Sequence, residues 1–260
     1  MLRPYLETFR RYRYLLVCLV DRDYKVKYRR SVFGILWSML NPIMMMIILN
    51  AVFSRVFRAD IENFPVYLLT GQLVFSFFNE ASSSAIFSVV EASALIKKIY
   101  VPKYVFPLER VLFGFVNMVF SLSALIILMI IQRVKVTAVT LLFPLPLIAL
   151  FLFTCGWSFL ISALCVYFRD LKHLYSVLMT AWMYITPIMY PIEYLSGSWV
   201  YKVVMLNPLT WYVQYFRQVV MYHELPTLEM NLVCFGEAFL MMIIGLLSFR
   251  KLQDKFILHI

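Results

Sequence analysis

The chain has 260 residues, 63% hydrophobic and 17% aromatic, with a mean hydropathy of +0.81. Soluble domains average about 45–50% apolar residues, and an excess of this size does not fit inside one globular core, so the expected solvent is lipid. The formal net charge of +10 invites a nucleic-acid reading, but nine of the 24 Lys and Arg lie in the first 30 residues and most others flank apolar runs, the pattern of cytoplasmic membrane flanks facing anionic lipid.

Residues 1–31 read as a cytoplasmic arm lying on the membrane. Leu2, Tyr5, Leu6, Phe9, Tyr12 and Tyr14 mix with basic residues at near-helical spacing, as expected at the headgroup boundary. The apolar run Tyr14–Val20 is too short to span. The opening MLRPYLETFRRYRYLL lacks a small-residue cleavage site, which argues against a removable signal peptide. A nucleic-acid-binding arm is the competing reading, and the span that follows ties this one to the bilayer instead.

A bilayer core needs about 20 mostly apolar residues per helix. Six segments meet that demand: about 32–53, 66–89, 108–131, 139–166, 174–189 and 232–249. The expected fold class is therefore an all-α integral membrane protein, a six-span domain over 32–260 behind the interface arm. Six spans put both termini on one side. Seventeen Lys and Arg fall on that side and six on the other, and the basic excess marks the cytoplasm. The six are Arg55, Arg58, Arg133, Lys135, Lys202 and Arg217. Arg110, near the start of the third span, belongs to neither group.

In the second span, Ser76, Glu80 and Ser83 fall at i, i+4 and i+7 and share a face. A carboxylate within a span is costly and faces a protein interior or an aqueous cavity. Glu80 is thus either a pore-lining group or a hydrogen-bonded packing residue between helices. Between the fourth and fifth spans, CVYFRDLKHL places Arg169, Asp170, Lys172 and His173 in a short cytoplasmic turn. The plain reading is that Arg169 and Lys172 are topology charges that snorkel to headgroups.

The connection after the fifth span, about 190–231, is the longest and is rich in aromatics. Asn207-Pro208 reads as a helix start, with Asn as N-cap and Pro at the first helical position. Short re-entrant or interfacial helices are expected there, with Trp199, Asn207, Pro208, Trp211 and Tyr215 as outer-gate candidates. An aromatic belt at the membrane surface is the alternative.

Several chemistries have no visible site. No GxxxxGK[ST] occurs, and the seven glycines are scattered with none before a lysine. His173, His223 and His259 lack ligand spacing, so no metal site is expected. Neither HExxH nor GxSxG appears. Cys18, Cys155, Cys165 and Cys234 are widely spaced and read as buried small hydrophobes. No internal repeat of the kind built into many secondary transporters is evident.

Five stretches carry a resemblance. YRRSVFGILWSMLNPI (28–43), ALIKKIYVPKYVFPLERV (94–111), VYFRDLKHL (166–174), WMYITPIMYP (182–191) and NPLTWYVQYFR (207–217) resemble, in order, segments of the ABC-2 permeases that export O-antigen, teichoic acid and capsule-like polymers. The resemblance covers nearly the whole chain. It implies a dimer of two six-span halves bound to two copies of a separate ATPase, which carries the ATP and magnesium; this chain binds no cofactor and has no catalytic residue of its own.

The resemblance also implies roles. The arm and the 97–107 connection would be the main ATPase contacts, with FRDLKH as a smaller second one. Lys97, Lys98, Pro102, Lys103, Arg169 and Asp170 are then coupling candidates. Pro102 and Pro107 set a bend on either side of Lys103, Asp170 is placed to cap the next helix, and Arg169 can fork onto a partner carboxylate. Pro42 and Pro187 can kink helices around a wide path. Phe33, Trp37, Glu80, Trp182 and Tyr184 are channel-lining candidates, the aromatics against sugar rings. The implied function is the permease subunit of an exporter of lipid-linked polysaccharide in a bacterial cytoplasmic membrane. Its partners would be the ATPase, a second copy, the glycan and membrane lipid, with no nucleic acid. Rival readings are an ABC-2 exporter of drugs or small lipids, a membrane-embedded glycan-modifying enzyme, and an ion-coupled transporter.

Overall fold

The computed structural model describes residues 3–29, 31–57, 61 and 63–259, with side chains for 12–29, 31–54, 61 and 63–258. Every regular element among them is helical. In chain order these are α1 (Arg3–Tyr28), α2 (Leu36–Phe57), α3 (Phe64–Ala85), the short α4 (Ser88–Glu91) and α5 (Ser93–Ile96), and α6 (Val105–Ile131). A 3-10 turn (Ala138–Leu142) leads into α7 (Pro144–Tyr167), followed by α8 (Leu171–Ile185), a second 3-10 turn (Ile192–Leu195), α9 (Trp199–Leu206), α10 (Pro208–Arg217), a π-helical turn (Gln218–Tyr222), α11 (Leu228–Gln253) and α12 (Phe256–His259).

Among the described residues, four stretches are long and apolar enough to cross a membrane: Leu36–Ser54, Val105–Ile131, Ala138–Tyr167 and Leu228–Gln253. The other two expected spans correspond to α3 and α8. α3 has span length, but Gln72, Ser76, Asn79, Glu80 and three consecutive serines lower its hydropathy. α8 has 15 residues, fewer than the roughly 20 that cross a bilayer core untilted.

α3 is the hub. It packs against α2, α6, α7 and α10, and Val66, Leu68, Leu69, Phe78 and Ala81 are fully buried. A helix enclosed by other helices can carry polar groups that a lipid-facing helix cannot. α2 shows the opposite habit: Met46 and Leu49 are buried, while Met44, Met45, Ile47, Ile48 and Val52 are exposed. Pro42 lies inside α2.

The most extensive helix pair is α7 with α11. Their backbones meet at two glycines. A Cβ on Gly245 would lie 2.0 Å from the Gly156 carbonyl oxygen, and one on Gly156 would lie 2.4 Å from the Met241 carbonyl carbon. Small residues at a crossing let membrane helices associate through close backbone contact where lipid supplies no hydrophobic drive.

Several boundaries moved. The second expected span ends at Ala85 rather than near 89, and the chain continues in α4 and α5. The fifth ends at Ile185 with Thr186 extended, so Pro187 lies beyond the helix and does not kink it. Pro107 lies in the first turn of α6, where its missing N–H is tolerated.

α1 packs part of its apolar surface on protein and leaves Val17 and Val26 exposed. Leu16 and Leu19 are buried against Val101, Val105 and Phe106, forming a second small core beside the 97–107 connection. Of the residues read as the arm's apolar stripe, Tyr12 packs there and Tyr14 is exposed. Leu2 and the side chains of Tyr5, Leu6 and Phe9 lie outside the described residues, as do those of Arg55 and Arg58. Cys155, Cys165 and Cys234 are buried, whereas Cys18 is exposed on α1, contrary to the expectation for it.

Candidate functional site

Three polar constellations interrupt the apolar packing. The first is a cleft of about 420 Å³ between the end of α1, α2, α3 and α6. Glu80 on α3 occupies it. The Lys27 ammonium of α1 donates to Glu80 Oε1 at 2.8 Å, and Asn117 Nδ2 of α6 donates to the same oxygen at 2.8 Å. Lys27 also lies over the Phe113 ring, 5.2 Å from its centroid. The Glu80 and Lys27 side chains are 38% and 41% exposed, so the pair is open on one side. Ser121 donates to the Ser38 carbonyl at 2.6 Å, tying α6 to α2. Trp37 lines the cleft, and Phe33 meets it edge-on at 5.7 Å. Ser76 shares the cleft with Glu80, whereas Ser83 donates to Asn79 Oδ1 at 3.1 Å.

The second constellation joins α8 to α10. Asn207 caps α10 as expected, accepting from the Leu209 N–H at 3.0 Å, with Pro208 first in the helix. The same Oδ1 accepts from Trp182 Nε1 at 2.7 Å, and Asn207 Nδ2 donates to Thr186 Oγ1 at 2.9 Å. One cap thus fixes two helices. Trp211 Nε1 donates to the Met205 carbonyl at 3.1 Å, fastening α10 to α9. Tyr212, Tyr215 and Phe216 are fully buried, so this stretch is packed core and not a surface belt. Trp199 is 76% exposed.

Arg217, counted in the sequence among the outer topology charges, is instead 97% enclosed: its relative exposure is 3%. Its guanidinium donates to the carbonyls of Pro187 (2.8 Å), Tyr67 (3.1 Å) and Ile188 (3.1 Å) and stacks 3.4 Å from the Tyr67 ring centroid. Gly71 makes the room, since a Cβ there would sit 2.7 Å from Arg217 Nη2. This staple lines a cavity of about 570 Å³ with Glu193 and Tyr222 at its wall. The sequence carried a signal for it: Leu209, Val213 and Arg217 recur every four residues, which puts the arginine on the apolar face of α10.

The third constellation surrounds the 97–107 connection. Arg110 on α6 reaches Asp23 on α1 at 2.6 Å and Glu91 on α4 at 3.4 Å, and Arg22 pairs with Asp23 at 2.7 Å. Lys103 donates to the Gln253 carbonyl at the last turn of α11, 2.6 Å away, where a cation meets the negative end of the helix dipole. Burial pushes the Lys103 ammonium pKa down, against the opposing pull of Asp254. Lys97 and Lys98 are exposed beside the exposed Ile99 and Tyr100. Pro102 is half-buried.

In the FRDLKH turn, Arg169 and Asp170 are exposed. Asp170 occupies the N-cap position of α8, but its side chain makes no capping hydrogen bond, so that expected role is not realised. Lys172 is exposed and lies 4.5 Å from the centroid of the Phe87 ring, which docks the turn on the α3–α4 junction.

The five channel-lining candidates divide accordingly. Trp37 and Glu80 line the cleft, and Phe33 lies edge-on to Trp37 without lining it. Trp182 sits among Phe78, Trp157 and Asn207, and Tyr184 is 63% exposed on α8. Lys27, Asn117, Arg217 and the Asp23–Arg110 pair were missed, since their partners lie 29 to 150 residues away and periodicity carries no such information.

A profile of the ABC-2 type transporter family matches residues 14–221. The chain belongs to the ABC-2 type transporter family. Its relatives include the O-antigen export system permease protein RfbA of Myxococcus xanthus, 31% identical over 219 residues and 84% of each chain. Two proteins of the same description from Klebsiella pneumoniae are 30% and 28% identical over 246 residues, 93% of each chain. Within this ABC-2 chain the matched region takes in all three constellations except the Gln253 end of the Lys103 contact.

Proposed function

We propose that this chain is the transmembrane permease subunit of an ATP-driven exporter moving a lipid-linked polysaccharide, of O-antigen or teichoic-acid type, across a bacterial cytoplasmic membrane. The observation that carries the reading is the similarity to O-antigen export permeases over 84–93% of both chains. The proposed reading includes six spans with α3 and α8 among them, cytoplasmic termini, and α1 as the interface arm of residues 1–31. A second copy completes the path and two ATPase subunits supply ATP and magnesium.

The geometry supports roles for three regions. The exposed Lys97, Lys98, Ile99 and Tyr100 offer a basic and apolar face for an ATPase groove, with Arg169 and Asp170 as a smaller contact. Lys103 links that face to the end of α11, so a push on the connection reaches the last span directly. α8 leaves Leu174, Val177, Leu178 and Tyr184 exposed beside Ser176 and Thr180, a surface suited to a second copy across a glycan path. Trp199, Asn207, Pro208, Trp211 and Tyr215 belong to the helices that would close its outer end.

The test is deletion and complementation in the source cell. Loss of surface polysaccharide, with lipid-linked polymer accumulating inside and the chain co-purifying with an ATPase, is the expected result. Surface polysaccharide unchanged by the deletion would overturn the reading.

A further inference from the structure

The cleft holding Glu80 has a lining that neither packing nor lipid explains. Asn117 is 3% exposed, yet its Oδ1 has no hydrogen-bond partner, and the shielded Oε1 of Gln72 in the same cleft also has none. Asn41, Asn79 and Ser76 add further amide and hydroxyl groups to the wall. A buried acceptor left unpaired costs about 1–3 kcal/mol, and a lipid chain can satisfy none of these groups. The demand is for an occupant that both donates and accepts at several points. Sugar hydroxyls do this, and amides are their natural complements because each offers donors and an acceptor. Trp37, 42% exposed at the cleft, offers a ring for the apolar face of a sugar.

A second feature adjoins the first. An open apolar groove of about 1030 Å³ runs between α1 and α6, lined by Val17, Val20, Leu112, Val116 and Phe120. It meets the cleft at Tyr28, which lines both. A polar chamber joined to an apolar groove at one residue fits an amphiphile with a sugar head. Arg29 lines the groove beside that junction and favours an anionic link between the two parts, whereas Lys25 there is paired with Asp21 at 2.6 Å.

We propose that the cleft is a binding subsite for the sugar head of the lipid-linked glycan, with the adjoining groove holding its lipid chain. The subsite rests on the export reading. It also bears on the arm: Lys27 lies in the last turn of α1, and a hydroxyl that takes over Glu80 Oε1 releases it, so sugar occupancy and arm placement are linked and the effect is reciprocal.

The test uses the full chain with its ATPase in cells making their own polymer. A photoreactive benzoylphenylalanine replaces Ser76 in the cleft or Val116 in the groove, with Leu246, exposed on α11, as the distant control. After irradiation, adducts are probed for sugar with a polymer-specific antiserum and for lipid by mass spectrometry. The expected result is sugar at position 76, lipid-linked sugar at position 116, ordinary phospholipid at 246, and no sugar adduct in cells that cannot begin polymer synthesis. Asn117→Leu at normal membrane abundance should lower the sugar adduct at 76 about tenfold, the effect of one lost hydrogen bond. Phospholipid or no adduct at 76 while export proceeds, or a yield indifferent to Asn117→Leu, overturns the subsite and leaves the export reading intact. Export that does not depend on this chain overturns both.

Discussion

The two ends of the helical bundle hold their charges differently. At the arm end, Asp23, Arg110, Glu91, Lys27 and Glu80 pair side chain to side chain, and most of them remain partly exposed. At the opposite end, Arg217 is enclosed and bonded to three backbone carbonyls, and Asn207 ties Trp182, Thr186 and its own helix together. Half-exposed ion pairs are worth roughly 0–1 kcal/mol each and exchange partners readily. A buried guanidinium bound to carbonyls has no such freedom, because any displacement strands several polar groups in an apolar surround. One end is thus built to be rearranged and the other to be held, as expected if a stroke is received at the arm end and resisted or relayed as a unit at the other.

The sharpest way to break that comparison is at Arg217. Arg217→Ala removes three bonds and takes a donor from the carbonyls of Pro187, Tyr67 and Ile188, of which Tyr67 keeps Thr70 Oγ1, at a cost of about 3 kcal/mol or more. The expected outcome is a large fall in folded yield and melting temperature of the purified protein, which Arg217→Lys restores only in part because lysine lacks the planar fork. Asn207→Leu comes next: it loses the α10 cap and the Trp182 and Thr186 bonds, for about 2 kcal/mol. Its thermal shift should be smaller than that of Arg217→Ala and larger than any at the arm end.

At that arm end Arg110→Ala should cost about 1–2 kcal/mol: Glu91 is half exposed, but Asp23 and Glu109 are 12% and 4% exposed and lose a nearby cation, Asp23 keeping Arg22. Protease accessibility of α1 should rise more than the melting temperature falls. A melting-temperature loss equal to that of Arg217→Ala would erase the contrast between the ends. The smallest structural effect belongs to the FRDLKH turn. Asp170→Ala removes no capping bond and should leave stability unchanged. Arg169→Glu should likewise preserve insertion while lowering ATP turnover coupled to export, and unchanged export would reduce Arg169 to a topology charge.

Much of this was legible in the chain. Apolar run length gave four helices nearly to their ends, and the Asn207-Pro208 signature gave the α10 cap, because both are local. α3 was found, but its central position was not: burial on every side follows from neighbours far away in sequence. The same reason hid Lys27 and Asn117, two residues from separate helices that converge on a carboxylate noticed by itself. Arg217 was misassigned because basic residues between spans are ordinarily topology markers, and only the four-residue recurrence on α10 distinguishes it. Asp170 was at the right position for a cap and does not act as one, since position alone does not orient a side chain.

The contact of Gly156 with Gly245 has a mechanical consequence. Two backbones touching directly have no rotamers between them to absorb a displacement. α7 and α11 must then travel as a single plank through any transport cycle, and the give in the structure falls to α2, which leaves Met44, Ile47, Ile48 and Val52 exposed. A disulfide or chemical bridge laid across the plank would leave transport running, while the same bridge laid from α2 to its neighbours would jam it.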